Sequence, residues 1–411
     1  MILSSIRRFN VSPVILIWLM LPLLFFSSCR GSAAKEDTPG DTVKTLAPRE
    51  EEVRFVNGQT TLEGTLFWPA TRADCPAVVV LAGSDRSRRG PLRMRTAKYF
   101  AAHNVAALVY GSPGTGASTG NALVQTRSER TVEALAAVNY LRELPGIRST
   151  SVGIFGGSEG ADVALLASAR APEVAFVIAV SGAMGVSILD VLRHSAEMKG
   201  YEQGLTLDEI TKAITFKEIA FVFLSGVEIV EWPLLEARVK QWEDKTWAAL
   251  IGIAKQRRKT LSREQEQVLL GSFRQVIDHF ENQEWFRSVD VGDAIQRIVN
   301  LDVDKFFALL EAGRYARDWD RGLCDVSKIR CPVLAIWGKE DSFLPSNQSA
   351  MRLKKALAES NHPDYEIEVF PNASHFLTVP GSATEFVPGY LDTMTRWLGS
   401  RVGLDNGGEQ D

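Results

Sequence analysis

Ser158 lies in Gly156-Gly157-Ser158-Glu159-Gly160, a G-x-S-x-G pentapeptide set between the apolar run Val152–Phe155 and the helix-forming stretch Ala161–Leu166. A serine placed so is held at the apex of a strand-to-helix turn, where Gly156 and Gly160 carry no side chain to keep strand and helix apart. The helix N-terminus behind it brings backbone N–H groups and a partial positive charge beside any negative oxygen that develops. The chemistry on offer is nucleophilic attack on a carbonyl. On its own the pentapeptide also fits an unexceptional strand–helix turn, so the rest of the chain must decide.

A serine hydroxyl is almost wholly protonated at neutral pH and needs a base, and imidazole, with an ordinary pKa of about 6.5, suits removal and return of a proton. The chain has five histidines. His194 and His279 fall in a helical middle section, His103 ends a surface-type helix and His362 sits in a polar turn. His375, in the loop Pro371–Leu377 that follows a late strand, is the remaining candidate. An imidazole base in turn needs a carboxylate to fix its tautomer. Asp341 follows the strand before that of His375 and is best placed, with Glu340 as the alternative. Ala82-Gly83-Ser84 follows an apolar strand, and the backbone N–H of Ser84, paired with that of Glu159, could hold an oxyanion.

These groups need one scaffold. Val53–Phe67 alternates apolar and polar residues around Asn57-Gly58, the signature of an antiparallel hairpin. Ala77–Leu81, Ala106–Tyr110, Val152–Phe155, Val174–Val180 and Pro332–Trp337 are short and almost uniformly apolar, as strands buried on both faces must be. Tyr365–Phe370 is a further strand, and Leu92–His103, Arg127–Leu144, Ser346–Leu357 and Ala383–Leu398 carry helical spacing between or after the strands. Alternation of this kind builds an α/β fold: a mostly parallel central sheet with helices on both faces.

From about Ala183 to Val326 strand-like runs cease and helical signals dominate, which reads as an inserted α-helical cap. Thr206-x-x-Glu209 and Ser262-x-x-Gln265 have capping-box spacing, and Glu228–Gln256 and Glu264–Phe280 read as long amphipathic helices. Trp232, Trp242, Trp247, Phe273, Phe280, Trp285, Phe306, Phe307 and Trp319 either form the core of this insertion or line an apolar acyl pocket. The organisation that results is a segment 1–29, a tether 30–51, a body in two parts, 52–182 and 327–400, split by the insertion 183–326, and a tail 401–411.

The 411 residues, 45% hydrophobic and 23% charged, are those of an ordinary globular protein with a sizeable core. A net charge of −4 with no Lys/Arg block excludes nucleic acid as an expected partner. The loop Gly111–Gly120 lacks the lysine of a phosphate-binding Walker loop, and no H-E-x-x-H occurs, so neither nucleotide, other cofactor nor metal is expected. Arg7 and Arg8 precede an apolar run, Val11–Phe26, followed by small residues and Cys29, as in an export signal. Phe26-Ser27-Ser28-Cys29 resembles a bacterial lipobox, with Phe26 where leucine is usual; this implies lipidation at Cys29 and a membrane anchor, a plain cleaved signal and an uncleaved anchor being the alternatives. Of the other cysteines, Cys324 and Cys331 are the nearest pair for a disulfide, but free buried thiols are favoured because Cys75 and Cys331 each precede a proline opening an apolar strand.

Ser158, Asp341 and His375, in that chain order and each after a strand, resemble the nucleophile–acid–base order of the α/β-hydrolase superfamily. More narrowly the chain is similar to bacterial serine esterases related to the dienelactone-hydrolase and acylaminoacyl-peptidase branches, over about Val53 to Leu398. The resemblance implies a serine hydrolase acting on small-molecule acyl esters, with Ser158 as nucleophile, His375 as base, Asp341 as its orienting acid and Leu81-Ala82-Gly83-Ser84 as oxyanion loop; a thioesterase or peptidase on the same three residues, or a hydrolase-like lipoprotein that binds a ligand without catalysis, are the alternatives. Ala82 departs from the histidine common before the oxyanion glycine, Gly157 from the histidine often preceding the nucleophile, and Gly111 and Pro113 from a frequent Asp/Arg pair. None of these is needed for the chemistry.

Overall fold

A computed structural model of the chain describes residues 49–70, 73–84, 90–121, 125–226, 230–257, 261–288 and 322–403. Residues 1–48, which include Cys29, together with Phe306, Phe307, Trp319 and residues 404–411 lie outside the described residues, while residues 49–51, expected in the tether, already belong to the first strand. Contacts divide the described chain into two compact units, one of residues 49–195 and 322–403, the other of residues 196–288.

The first unit is built on an eight-stranded sheet: β1 (Arg49–Asn57), β2 (Thr60–Trp68), β3 (Cys75–Leu81), β4 (Ala106–Tyr110), β5 (Ile147–Gly157), β6 (Val177–Val180), β7 (Val333–Gly338) and β8 (Tyr365–Phe370), in the order β1-β2-β4-β3-β5-β6-β7-β8. The hairpin at Asn57-Gly58 pairs β1 with β2 in antiparallel register, Asn57 opposite Thr60, and Gly58 takes φ +59°, the left-handed conformation a tight turn demands. β2 joins β4 antiparallel, and every pairing from β4 to β8 is parallel. This is the mostly parallel, helix-flanked sheet of the α/β-hydrolase fold.

Strand side chains alternate between two cores. Ala77, Val79, Leu81, Val152, Ile154, Val177, Ala179, Val333 and Ala335 pack with α2 (Arg127–Glu143), α3 (Glu159–Arg170) and α10 (Ser346–Glu359). Val78, Val80, Phe155, Ile178, Val180, Leu334 and Ile336 pack with α1 (Pro91–Ala102) and α11 (Tyr390–Val402). Both faces are therefore covered, which explains why these strands read as unbroken apolar runs. α2 starts at a capping box, Thr126 with Glu129.

The final helix begins at Tyr390 rather than near Ala383. Residues 383–389 instead form a loop in which Thr378 bridges to Phe386, and Gly389, at φ +81° behind Pro388, sets the start of the helix. β6 is likewise shorter than the apolar run Val174–Val180.

The second unit is helical: the end of α4 (Ile188–Glu202), then α5 (Leu207–Ser225), α6 (Trp232–Lys240), α7 (Lys245–Gln256), α8 (Arg263–Phe280) and α9 (Glu284–Ser288). Both expected capping boxes are formed, Thr206 with Glu209 on α5 and Ser262 with Gln265 on α8. The single helix expected over 228–256 is two helices, because Glu243 takes φ +52° and Asp244 caps α7 through the Thr246 N–H. Trp232, Trp247, Phe273, Phe280 and Trp285 are buried together in the core of this unit, with Trp242 partly buried against them.

Candidate active site

The parallel strands share a direction, so the loops leaving β3, β5, β7 and β8 emerge at one edge of the sheet, where ligands bind in open α/β folds. Four of the candidates named from the sequence stand on these loops: Ser84 after β3, Ser158 after β5, Asp341 after β7 and His375 after β8.

Ser158 has φ +54° and ψ −126°, a strained backbone conformation for a residue with a side chain. Its N–H donates to the Val180 carbonyl at 2.8 Å and its carbonyl accepts the Ala161 N–H at 2.9 Å, so the turn is pinned on both sides. The flanking glycines are required by space. A Cβ on Gly156 would stand 2.0 Å from the Gly160 carbonyl oxygen, and one on Gly160 would stand 2.8 Å from that of Ala82. Gly83 packs against the elbow too: a Cβ there would lie 3.5 Å from that of Ser158. Glu159 opens α3, so its N–H has no acceptor within the helix.

Asp341 and His375 are brought together by a close crossing of two loops. Gly338 ends β7 where a Cβ would stand 2.2 Å from the Ser374 carbonyl oxygen, so only glycine lets the His375 loop fold over this point. Lys339 N–H donates to the Phe370 carbonyl at 2.8 Å and Glu340 N–H to that of Ala373 at 2.9 Å. Asp341 Oδ1 accepts the N–H groups of Phe343 and Leu344 at 2.8 and 2.9 Å, and Oδ2 accepts from His375 Nδ1 at 2.7 Å. Both side chains are buried, that of Asp341 completely. Glu340 is exposed, so of the two adjacent carboxylates it is Asp341 that faces the imidazole. Phe343 and Phe376 flank the ring, with centroids 5.2 and 4.9 Å from it.

Two residues near these loops had no signal in the sequence. The Nε2–H of His194, on α4, donates to the Asp341 backbone carbonyl at 2.7 Å, although its helical surroundings had suggested only the insertion. Arg130, on α2, is buried with its guanidinium on the Ala82 carbonyl and 3.0 Å from Glu159 Oε2. Burial works to discharge it, but Glu159 and Glu133 outweigh that and hold it above the ordinary arginine value. A buried arginine within an amphipathic helix reads as a surface charge until the fold is known.

Asp162, in the first turn of α3, accepts the N–H groups of Ala183 and Met184 at 3.2 and 3.0 Å and stands 3.8 Å from Arg127. It thereby fixes the loop after β6, in which Ser181 and Met184 have positive φ. Burial pushes its carboxyl above the ordinary aspartate range, against Arg127 and the two N–H groups. Cys75, Cys324 and Cys331 are free thiols. Among the described residues no cluster of His, Cys, Asp and Glu could hold a metal ion, and no helix is long and apolar enough to cross a membrane.

Two family models match separate stretches of the chain. The BAAT / acyl-CoA thioester hydrolase C-terminal family matches residues 135–222, which hold Ser158, and the dienelactone hydrolase family matches residues 312–390, which hold Asp341 and His375. The polyketide transferase grgF of Penicillium sp. is 31% identical over 141 residues, 34% of this chain and 47% of that protein, so the chain spans about half the length of this curated relative. Similar solved structures include the hypothetical protein PA2218 of Pseudomonas aeruginosa (18% identity, covering 90% of this chain and 100% of that one, TM-score 0.46). The alpha/beta hydrolase GrgF of Penicillium sp. sh18 (16%, 86% and 99%, TM-score 0.48) and the Pyrococcus furiosus esterase Pf2001 (15%, 92% and 98%, TM-score 0.45) are also similar.

Proposed function

We propose that this member of the α/β-hydrolase superfamily is a serine hydrolase that cleaves carboxylic esters through an acyl-enzyme on Ser158. The observation that carries the reading is the buried contact of His375 Nδ1 with Asp341 Oδ2 at 2.7 Å, on loops of the sheet edge that also bears the strained Ser158. With Nδ1 engaged by the carboxylate, Nε2 is the ring nitrogen left to take the Ser158 proton. The alkoxide oxygen attacks the ester carbonyl, and the backbone N–H groups of Ser84 and Glu159 donate to the oxyanion. The imidazolium returns its proton to the departing alcohol. Water, deprotonated by His375, then releases the acid and restores the serine.

A thioester in place of the ester is the second reading, favoured by the match to the acyl-CoA thioester hydrolase family across the elbow. The same groups would serve, with a thiol as the leaving group.

The test is labelling of the purified protein by a fluorophosphonate, with Ser158→Ala as control, beside turnover of p-nitrophenyl esters and matched thioesters of increasing chain length. Labelling confined to the parent protein, with ester turnover, supports the proposal. Folded parent protein that neither labels nor turns over either series overturns it and favours a hydrolase-like protein that binds without catalysis.

We also propose export and lipid anchoring at Cys29, supported by the basic, apolar and small-residue order of the first 29 residues. Radiolabelled palmitate should enter the protein expressed in a bacterial host and be lost in Cys29→Ala; an unlabelled parent protein would refute this.

A further inference from the structure

Arg130 stands on none of the loops that carry the proposed catalytic groups, yet its side chain reaches two of them. One guanidinium nitrogen, Nη2, donates to the carbonyl of Ala82, the residue that heads the oxyanion loop, while Nη1 lies 3.0 Å from Glu159 Oε2 as an ion pair outside hydrogen-bond geometry. Glu159 directly follows the candidate nucleophile. The two backbone donors proposed for the oxyanion, on Ser84 and Glu159, thus belong to the two segments that a single planar group holds.

Stability alone gives a poor reason for such a group. The Arg130 and Glu159 side chains are 4% and 3% exposed, and removing both charges from water costs about as much as their attraction returns; well-packed apolar residues often serve a helix contact better. What an apolar pair cannot do is hold a carbonyl by a hydrogen bond and a carboxylate by charge from one rigid planar group, as a guanidinium does. The surroundings leave that separation little slack. Gly160 admits the Ala82 carbonyl where a Cβ would lie 2.8 Å away, and Gly83 meets the Gly157 carbonyl where a Cβ would lie 3.3 Å away. The elbow also carries a carboxylate, on Glu159, next to the place where negative charge would develop. Left uncompensated, it opposes the oxyanion.

We propose that Arg130 is a positioning residue of the oxyanion hole: it clamps the Ala82 carbonyl to the Glu159 carboxylate, sets the spacing of the Ser84 and Glu159 N–H donors, and neutralises the carboxylate beside them. The inference rests on the ester-hydrolase reading and deepens it. It separates ground state from transition state, because donor spacing matters most when the carbonyl oxygen becomes an anion.

The experiment compares the parent protein with Arg130→Lys, Arg130→Met and the double variant Arg130→Met/Glu159→Gln. The lysine keeps the charge without the fork, and the double variant spares the fold an unpaired buried carboxylate. Turnover of a p-nitrophenyl ester is expressed per active site, counted by fluorophosphonate labelling at completion, and affinity for an alkyl boronic acid, which mimics the tetrahedral adduct, is measured alongside. In Arg130→Lys and the double variant, kcat per site falls by roughly tenfold to a hundredfold, the effect of a small misplacement of reacting groups. KM changes little, and boronate affinity falls by a similar factor. A merely structural arginine gives fewer labelled sites, each turning over at the parental rate, and that result overturns the inference, as does parental kcat per site in the double variant. A parent protein that neither labels nor turns over ester removes the ester-hydrolase reading and this inference with it, whereas parental turnover in Arg130→Lys removes this inference alone.

Discussion

The Nε2–H of His194 donates to the backbone carbonyl of Asp341 at 2.7 Å, so the residue whose carboxylate faces His375 is held through its main chain as well as its side chain. The two attachments differ in what they control. Asp341→Asn keeps an oxygen for the Phe343 and Leu344 N–H groups but sets an amide against His375 Nδ1, favouring the wrong tautomer. Ester kcat should fall by about 10³–10⁴-fold with the fold retained. His194→Ala removes one hydrogen bond and should lower stability by only about 1 kcal/mol. Steady-state kinetics beside urea unfolding measures both; equal kinetic effects would contradict the assignment.

Gly156→Ala and Gly338→Ala each force a methyl group to within 2.0 and 2.2 Å of a backbone oxygen, at Gly160 and Ser374 respectively. Neither neighbour is a flexible side chain, so the loops must separate. Each variant should lose roughly 3 kcal/mol of stability, and any folded fraction should turn ester over slowly. Gly271, with nothing near its missing Cβ, provides the control, and Gly271→Ala should hold or raise the unfolding midpoint.

Thiol chemistry gives a pH-dependent expectation. Burial, with Asp162 and Asp325 adding to it at Cys324, pushes the thiols of Cys324 and Cys331 from 9.0 up to about 12. A group whose pKa is raised by folding lends its stability in full below the unfolded value and loses it as pH rises toward the folded one. Urea midpoints should therefore be insensitive to these groups up to pH 9 and decline between pH 9 and about 12. At neutral pH native protein should react slowly with iodoacetamide at both cysteines, and unfolded protein fast; rapid native alkylation, read by mass, would contradict this.

Helix caps supply a separate test of local structure. Thr126 and Thr206 each accept the N–H of a glutamate three residues on, and each glutamate answers the cap's own N–H. Thr126→Ala and Thr206→Ala should each cost about 1 kcal/mol. Because the caps sit in different units, the two losses should add in the double variant, within the error of denaturant titration.

Much of the sheet was legible because its strands are buried on both faces and follow the same rule, a short run such as Ala77–Leu81 with no polar interruption. The elbow was legible because its glycines answer a steric demand local to the chain. What escaped depended on through-space partners or on single backbone angles. Arg130 and His194 bond to groups 48 and 147 residues away, and no helical periodicity encodes such distances. The break at Glu243 and the late start at Tyr390 turn on one residue with positive φ each, Glu243 and Gly389. Neither interrupts the apolar pattern.

The position of the helical unit between β6 and β7 has a consequence for how the protein is made. When β6 leaves the ribosome its outer edge has no neighbour, and the partner that will cover it is not synthesised until the whole intervening unit has been translated. At ordinary elongation rates that is on the order of ten seconds. Through that interval Val177–Val180, which ends as an interior strand, is an exposed apolar edge able to pair with another chain. The same connectivity leaves the nascent sheet unfinished until β7 is made.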